Sequence, residues 1–477
     1  MLIQKTTLKD IGAEKTLRYD VDYIKFHQTH TKDYYTFNDL FSISSDCNID
    51  GNTLSGDFKY CEIGNSDKNG DIEPVCLNFS IRNLEYENYY TKIEKGDIAK
   101  ANLNDILIAK VRPNLKKYIR ITQDKKDVYF TTAFIRLKAK EMPDLLYYSL
   151  RSIFYEDLMA IARQGKGYPT INEKDLVTLR FDSLVIDSLR TNYLAISALI
   201  NDVESKITDK KSTTKSAQKI IDSVFQREFS ISSSDYESME DNRQLNISYQ
   251  NIAEANSNLR MSYRWNKSLV FQNYMKAHVL CSSYLGSHIL STKNGWSPSC
   301  TDDGSGYQVL GIDSILRNGI LSFDHPKYSS MPKKDFDTYL IKNNDFFISR
   351  GNTVDLVSLA AVADFDENEM PDTIYPDLMI RVEFDSSINR KYMAYVFNSF
   401  IGRSYFKYCT KGKNQTMVKV SPKELSDFVA PIPDIIEQQR IVDEIQAEIN
   451  QQKEIQKEIA DLRNQIDEII LQSISAK

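Results

Sequence analysis

The sequence predicts an α+β protein in which one module, a mixed β structure with helices, occurs twice in tandem. Three observations support this prediction. Segments of the first half return in the same order in the second half, two stretches carry a coiled-coil spacing of apolar residues, and one such stretch closes each half. The two long helices that these stretches form are predicted to join and separate the modules as an antiparallel coiled coil, which gives the molecule pseudo-two-fold symmetry.

The duplication is visible in short segments whose separation along the chain stays nearly constant, between 240 and 249 residues. The clearest matches are 104–110 with 344–350, 133–137 with 378–382, 165–166 with 412–413, and 171–176 with 420–425. A repeat of this length is too long for a solenoid. It therefore indicates two copies of a globular module, each with its own closing helix.

Both long helices are predicted from apolar residues that recur every three or four positions. The predicted seam, which we also take as the partner-binding residues, comprises Tyr193, Ile196, Ile200, Ile445, Ile449, Ile459, Leu462 and Ile466. A single helix cannot bury such a seam, so we expect the two helices to pack on each other. The alternative is two surface helices that each pack separately on their own domain.

These signals give five predicted segments. They are a first module at residues 1–182, a central helical region at 183–229, a linker rich in Ser, Asn and acidic residues at 230–258, a second module at 259–432, and a C-terminal helix at 433–477. A chain of 477 residues suits two or three domains.

The composition is that of an ordinary globular protein, with 41% hydrophobic and 26% charged residues. The six cysteines show no C-x-x-C spacing and the histidines do not cluster, which argues against a zinc site and a disulfide framework. No apolar run approaches the roughly 18 residues of a membrane span. We therefore expect a cytoplasmic protein that does not contact a membrane.

The net charge of −6 is concentrated in one segment, because residues 433–477 contain ten acidic and five basic side chains. An acidic helix is a poor surface for DNA and a reasonable surface for docking a protein. Contacts to nucleic acid are therefore expected in local basic patches elsewhere in the chain.

Several short motifs of the second half occur in one fixed order. They are Gly295-Trp296-Ser297-Pro298-Ser299, Ser421-Pro422-Lys423-Glu424-Leu425, Ala430-Pro431-Ile432-Pro433 and Glu437-Gln438-Gln439-Arg440. With the duplication and the seam helices, this combination resembles the specificity subunits of type I restriction–modification enzymes over essentially the whole chain. The first half departs from the pattern: it lacks the proline-rich start of the helix and the Glu-Gln-Gln-Arg run, and has only Arg190 at a comparable place.

The resemblance implies two target recognition domains, each of which reads one half of a bipartite site on double-stranded DNA. The paired helices would act as a spacer and dock two methyltransferase subunits for adenine methylation, together with restriction (translocase) subunits. S-adenosylmethionine, ATP and Mg²⁺ are expected on those partners, and no cofactor or metal is expected in this chain. The resemblance also implies that the chain is not itself an enzyme.

Candidate DNA-binding residues lie in basic segments interleaved with amide side chains, because cations bind phosphates and Asn or Gln can pair with adenine. In the first module they are Lys110, Arg112, Asn114, Lys116, Lys117, Gln164 and Lys166. In the second module they are Arg350, Asn352, Lys411, Lys413, Asn414 and Gln415. The alternative for each segment is an ordinary solvated turn or surface loop.

The sequence lacks several motifs that are typical of catalysis. It has no Asn/Asp-Pro-Pro-Tyr/Phe run for amino-methyl transfer, no G-x-G-x-x-G loop and no G-x-x-x-x-G-K-[ST] loop. His27 and His30 have no nearby acidic or cysteine partner in the sequence and are expected on the surface. Two other functional readings stay open: a coiled-coil scaffold or inhibitor that binds proteins without reading DNA, and an enzyme with an unrecognised active site.

Overall fold

A computed structural model gives the structure of the chain. It describes residues 18, 20–31, 33–44, 49–82, 86–164, 167–242, 244–248, 261–301, 304–366, 371–412 and 417–475. The chain divides into two units: residues 1–212 with 458–477 form unit 1, and residues 213–457 form unit 2. The predicted first module falls inside unit 1 and the predicted second module inside unit 2.

Unit 1 contains two four-stranded sheets and short helices, followed by two helices of the central region. Its helices are α1 (Val21–Thr29), α2 (Phe37–Leu40), α3 (Glu87–Glu94), α4 (Pro143–Arg151), α5 (Tyr155–Ile161), α6 (Glu173–Leu176), α7 (Ser183–Thr191) and α8 (Tyr193–Ser212). Its strands are β1 (Tyr34–Thr36), β2 (Phe41–Ile43), β3 (Asp57–Cys61), β4 (Val75–Asn78), β5 (Ala99–Lys100), β6 (Asp105–Ala109), β7 (Tyr118–Arg120), β8 (Val128–Phe130), β9 (Phe134–Ala139), β10 (Arg163–Gln164), β11 (Pro169–Thr170) and β12 (Arg180–Asp182).

Unit 2 repeats this plan after the second part of the central helical region. Its helices are α9 (Ala217–Phe229), α10 (Ser233–Asp241), α11 (Tyr263–His278), α12 (Arg390–Asn398), α13 (Phe400–Cys409) and α14 (Pro422–Ser426). Its strands are β13 (Ser282–Tyr284), β14 (Ile289–Asn294), β15 (Tyr307–Val309), β16 (Lys327–Ser329), β17 (Phe346–Ser349), β18 (Gly351–Asn352), β19 (Ala360–Val362), β20 (Thr373–Ile374), β21 (Met379–Phe384), β22 (Val418–Lys419) and β23 (Val429–Pro431). The last helix, α15 (Ile435–Ser475), gives its first part to unit 2 and its second part to unit 1.

The sheets of the two units have matching topology. The strand order β2-β9-β6-β7 in unit 1 corresponds to β14-β21-β17-β19 in unit 2, and both sheets are antiparallel. In the second sheet of each unit, one parallel pair, β3 with β8 or β15 with β20, adjoins an antiparallel neighbour. These matches confirm the predicted α+β class and the predicted duplication.

One arginine in each unit, buried in unit 1 and half-buried in unit 2, makes equivalent polar contacts. In unit 1, the Arg136 guanidinium lies 3.8 Å from the Asp105 carboxylate and donates to the carbonyl of Lys100. In unit 2, Arg381 lies 3.1 Å from Asp345 and donates to the carbonyl of Leu340 at 3.0 Å. Each aspartate also accepts from a backbone N–H three residues before it, at 2.8 and 2.9 Å. The duplicated sequence therefore folds into duplicated internal contacts.

Within unit 1, the central helices and the end of α15 run in opposite directions. Ser188 Oγ donates to the carbonyl of Ser473 at 2.8 Å, and Lys210 forms an ion pair with Glu458. Later residues of the central region thus meet earlier residues of α15. Ile196 and Ile200 are buried as the heptad spacing predicts.

Within unit 2, α9 and the first part of α15 are also antiparallel. Arg227 forms an ion pair with Glu444, Arg440 pairs with Glu228, and the Lys215 N–H donates to Gln452 Oε1 at 2.8 Å. Here both helices belong to the core of the module, since Phe225 of α9 and Ile445 of α15 lie in the same apolar cluster. The predicted helix pairing is confirmed, and the alternative of two separately packed surface helices is wrong.

The seam residues are mostly buried, with one shift near the C-terminus. Ile445, Ile449, Ile459 and Ile466 are buried, and Tyr193 and Leu462 are half-buried. The four buried isoleucines, like Ile196 and Ile200, pack within the chain. Tyr193 and Leu462 keep part of their surface exposed, and partner binding through the seam stays a prediction. An exact heptad would place the next seam position after Ile466 at Ile469, but the buried residue is Ile470. The α-helix has 3.6 residues per turn, so the buried face drifts away from an exact heptad repeat.

The predicted linker at residues 230–258 begins with a packed helix. Tyr236 of α10 is buried and its ring stacks on Phe271 at 5.4 Å. Glu240 accepts from Ser404 Oγ at 3.0 Å and forms an ion pair with Lys407 at 3.1 Å. Although the segment is mostly polar, its Tyr236 side chain is buried, so the first part of the segment belongs to the fold of unit 2. Residues 249–258 lie outside the described residues.

Asp222 of α9 holds the start of α13 within unit 2. Its carboxylate accepts from the Phe400 N–H at 2.7 Å and from Gln218 Nε2 at 3.0 Å. Burial raises the pKa of Asp222 to about 6, although both hydrogen bonds act to lower it. The folded protein therefore holds this proton up to a higher pH than the unfolded chain, whose aspartates titrate near pH 4.

Asp222→Asn is expected to remove a pH-dependent loss in the free energy of unfolding. Because the folded-state pKa is raised, the carboxylate lowers the free energy of unfolding as pH increases from about 4 to about 6, by up to about 3 kcal/mol. Asparagine can still accept from Phe400 but does not ionise. Denaturant unfolding of both proteins at several pH values should show the variant gaining relative to the wild type across this window. A constant difference at all pH values would contradict the assignment.

None of the helices in the described part of the chain combines the length and apolar character needed to cross a membrane. The cysteines within the described ranges, Cys61, Cys76, Cys281, Cys300 and Cys409, are free thiols.

Candidate nucleic-acid interface

In unit 1, the predicted basic segment and the predicted glycine loop lie side by side. The Ile171 N–H donates to the carbonyl of Lys110, and the Arg112 N–H donates to the carbonyl of Pro169, both at 2.9 Å. Strands β10 and β11 form the hairpin that carries exposed Gln164. The fold thus brings Lys110, Arg112 and Gln164 to one edge of the module.

Unit 2 builds the same edge with equivalent bonds. The Val420 N–H donates to the carbonyl of Arg350 at 2.9 Å, and β18 pairs with β22 so that Asn352 faces Val418 in the register. The Arg350 N–H donates to Leu378 at 2.7 Å, as the Lys110 N–H donates to Ala133 at 2.9 Å in unit 1. Arg350, Asn352 and Lys411 therefore share an edge that corresponds to that of Lys110, Arg112 and Gln164.

The side chains of the basic segment differ in what they contact. Lys110 pairs with Glu173 at 2.9 Å, while Lys116 Nζ donates to the carbonyl of Arg151 at 3.0 Å and Lys117 Nζ to that of Ile63 at 2.9 Å. Each of these three lysines therefore has a structural partner.

Arg112 and Asn114 are the exposed ones among the predicted DNA-binding residues of this segment. The Arg112 guanidinium lies over the Tyr168 ring at 5.2 Å, and the backbone carbonyl of Asn114 accepts from the Tyr155 hydroxyl at 3.2 Å. Arg112 adopts a left-handed backbone conformation with φ 51°, which turns the chain sharply between β6 and β7. Among the predicted cations of unit 1 that lie in the described ranges, Arg112 is thus the best placed for an outside ligand.

Each glycine loop is anchored at its base by a carboxylate that the sequence analysis missed. Arg163 Nε donates to Asp175 at 2.8 Å in unit 1, and Lys411 forms an ion pair with Glu424 at 2.8 Å in unit 2. Asp175 is fully buried and Glu424 nearly so. The signal was present as capping-box spacing, Asn172 to Asp175 and Ser421 to Glu424, since each acid also accepts from the backbone N–H three residues earlier.

The electrostatics of the unit 2 anchor keep its carboxylate ionised. Burial by itself would raise the pKa of Glu424, but hydrogen bonds from Lys411 and Ser421 outweigh it and hold the pKa below its usual value. Lys411, predicted to bind DNA, therefore also positions the loop, although its side chain stays exposed. The predicted residues Lys166, Lys413, Asn414 and Gln415 lie outside the described residues.

The expectation for His27 is wrong, because His27 is buried between Tyr23 and Phe26, with ring centroids 4.4 and 4.9 Å away. Burial lowers its pKa to about 4, with further contributions from the positive charges of Arg180, His30 and Arg18. Arg180 also donates to the carbonyl of His27 at 3.2 Å. The buried position follows from the aromatic face of α1, a helix that the sequence analysis did not predict. In the described ranges, His, Cys, Asp and Glu side chains form no group of three or more that could hold a metal ion.

No protein family matches the sequence in a family comparison, and no curated protein matches it. Solved structures do match. A chain from a study of complex assembly and conformational transition of the type I R-M system is 16% identical, covers 92% of this chain and 97% of its own, and has a TM-score of 0.43. The HsdS subunit from Thermoanaerobacter tengcongensis is 15% identical over 93% of this chain and 96% of its own, with a TM-score of 0.33. The type I restriction–modification S subunit from M. genitalium is 13% identical over 92% of this chain and 95% of its own, with a TM-score of 0.37.

Proposed function

We propose that the chain is the non-catalytic DNA-recognition subunit of a type I restriction–modification complex. Each module reads one half of a bipartite site, and the antiparallel helices dock two methyltransferase subunits and the restriction subunits. The observation that carries the proposal is the pair of equivalent edges, Lys110–Arg112 beside β10–β11 and Arg350–Asn352 beside β22. Two like readers in one chain suit a target with two half-sites.

The side chains at these edges suit the two kinds of contact in DNA recognition, which are to phosphates and to base edges. Arg112 and Arg350 can bind phosphates or guanine, while Gln164 and Asn352 can pair with adenine. The buried carboxylates of Asp175 and Glu424 hold Arg163 and Lys411, the residues at which the two loops begin. This limits the conformational entropy that the loops lose on binding. Adenine methylation, ATP-driven translocation and cleavage would belong to the partner subunits, with their S-adenosylmethionine, ATP and Mg²⁺.

The direct test is selection of binding sites from random duplexes, performed with the full chain alone and with its methyltransferase partner. The proposal expects an enriched sequence made of two short half-sites separated by a fixed, unspecified spacer. Enrichment of one continuous site, or no enrichment in either arm, would contradict it. The second outcome, combined with stable capture of a protein partner, would favour a coiled-coil scaffold.

We propose α8 as a surface that would dock the methyltransferases, in addition to the acidic C-terminal helix. Leu194 and Leu199 are 82% and 55% exposed there, while Ile196 and Ile200 of the same helix are buried. Burial of exposed apolar side chains such as these favours association between proteins. A partner that covers them would remove both side chains from water.

Leu194→Glu combined with Leu199→Glu is expected to weaken assembly with the methyltransferase at least tenfold, since two charges would be buried without partners. Analytical ultracentrifugation of the mixed subunits measures the effect. Leu280→Glu, at a fully exposed leucine of unit 2, is the matched control and should assemble normally. Equal loss in both proteins would exclude α8 as the docking surface.

A further inference from the structure

Unit 2 carries a group of aromatic rings and lysines outside the two edges already described. This aromatic–lysine cluster consists of Lys293, Trp296, Lys333 and Tyr339. Lys333 Nζ lies 5.2 Å from the centre of the Trp296 ring and 5.6 Å from that of Tyr339, and Lys293 Nζ lies 4.4 Å from the Tyr339 ring. The Trp296 and Tyr339 rings are 6.2 Å apart and both side chains are half-buried. One face of the cluster is therefore open to solvent.

The lysines of the cluster are not neutralised in the way that other lysines of unit 2 are. Lys391 pairs with Asp364 at 2.8 Å and Lys407 with Glu240 at 3.1 Å. Within the described ranges, by contrast, no carboxylate forms an ion pair with Lys293 or Lys333. The segment 327–342, which supplies Lys333 and Tyr339, contains four lysines and two aspartates. A local excess of positive charge remains available to an anion.

The cluster is continuous with the predicted edge at Arg350. The Trp296 N–H donates to the carbonyl of Tyr375 at 3.0 Å, and Ser297 Oγ donates to Asp377 Oδ1 at 2.6 Å. The carbonyl of Asp377 in turn accepts from Arg350 Nη1 at 3.4 Å. Gly295 permits this close approach, because a Cβ there would lie 2.2 Å from the Pro376 carbonyl oxygen.

We propose that the aromatic–lysine cluster is a DNA-contact site of unit 2. It would bind the sugar–phosphate backbone beside the bases read from the Arg350 edge. Lys293 and Lys333 would bind phosphate oxygens, and the Trp296 and Tyr339 rings would pack against deoxyribose. Rings that already hold the lysines in place reduce the rotamer freedom lost on binding. The inference rests on the proposed DNA recognition and adds residues that no basic run in the sequence had indicated.

The test compares Lys293→Ala and Lys333→Ala with Lys276→Ala in the full chain. Lys276 is the matched control because its Nζ also lies over a tyrosine ring, that of Tyr284 at 4.3 Å, in a different part of unit 2. Binding to a short random-sequence duplex is measured between about 50 and 200 mM salt. Each cluster variant should reduce the slope of log affinity against log salt by about 0.9 and weaken binding about eightfold at 0.1 M salt.

Lys333→Arg keeps the charge and should retain most of the slope, which separates a phosphate contact from general loss of folding. Thermal unfolding of each variant provides the second check. If the wild type binds DNA and both alanine variants keep its slope, the cluster is not a contact site, while the proposed function stands. If the control loses as much as the cluster variants, the loss reflects net charge and the site is rejected. If the wild type binds no duplex, either alone or with its methyltransferase partner, both the proposed function and this inference fail.

Discussion

Glu204→Gln is expected to lower the free energy of unfolding of unit 1 by about 3 kcal/mol, because it leaves the largely buried charge of Arg120 without its counter-charge. Arg120 of β7 donates to both carboxylate oxygens of Glu204 at 2.7 Å, and its side chain is 11% exposed. The pair lines an open pocket of about 690 Å³ formed by the sheet edge with its adjoining loops, α4, α8 and the end of α15. Denaturant titration, with hydrogen exchange at residues 118–120 as the local probe, measures the loss.

The same helix offers a control for this prediction. Asp202 pairs with Lys206 at 2.6 Å on the surface of α8, and its side chain is 61% exposed. Asp202→Asn should change stability by less than about 0.5 kcal/mol. Replacing Arg120 and Glu204 together with leucine should restore much of the stability, since buried ion pairs are often no better than apolar pairs. Equal effects of the Glu204 and Asp202 changes would show that burial does not set the cost.

Lengthening both helices by one heptad is expected to change the spacing of the half-sites without changing the half-sites. The insertions belong at residues 212–213 and 457–458, the two places where the chain passes from one unit to the other. Seven residues in each helix preserve the seam and add about 10 Å. At about 3.4 Å per base pair this corresponds to roughly three additional base pairs.

Site selection with the lengthened protein measures this change. An insertion in α15 alone is the control, because it puts Lys210 and Glu458 out of register and should destabilise the pairing rather than redefine the site. An unchanged spacer in the doubly lengthened protein would show that the helices do not set the distance between the half-sites. This prediction depends on the proposed bipartite recognition.

The structure explains the motif Glu437-Gln438-Gln439-Arg440 at the start of α15. Gln438 is fully buried; it accepts from the Asn389 N–H at 2.8 Å and donates to the carbonyls of Ser387 and Pro433, both at 2.8 Å. It fastens the start of α15 to the module. The first half lacks this run, but there Arg190 makes an ion pair with Glu141 at 2.6 Å and fastens α7 to its own module. The departure seen in the sequence is thus a different solution to the same packing requirement.

The sequence by itself determined the duplication, the α+β class and the helix seams. These three features depend on periodic spacing and on the order of segments, and both can be recognised without knowledge of distant contacts. It also singled out Lys110, Arg112 and Arg350 as candidate DNA contacts, because basic and amide side chains are interleaved in their segments.

Only the tertiary structure decided which cations face outward and which hold the fold together. In the sequence, Lys116 and Lys117 form part of a basic patch, yet both donate to backbone carbonyls. In contrast, Lys293 and Lys333 are 40 residues apart in the sequence, but both lie against the Tyr339 ring. The buried anchors Asp175 and Glu424 and the buried His27 escaped notice for the same reason. The role of a charged or polar side chain is set by neighbours distant in sequence, and linear spacing does not reveal which of these neighbours will surround it.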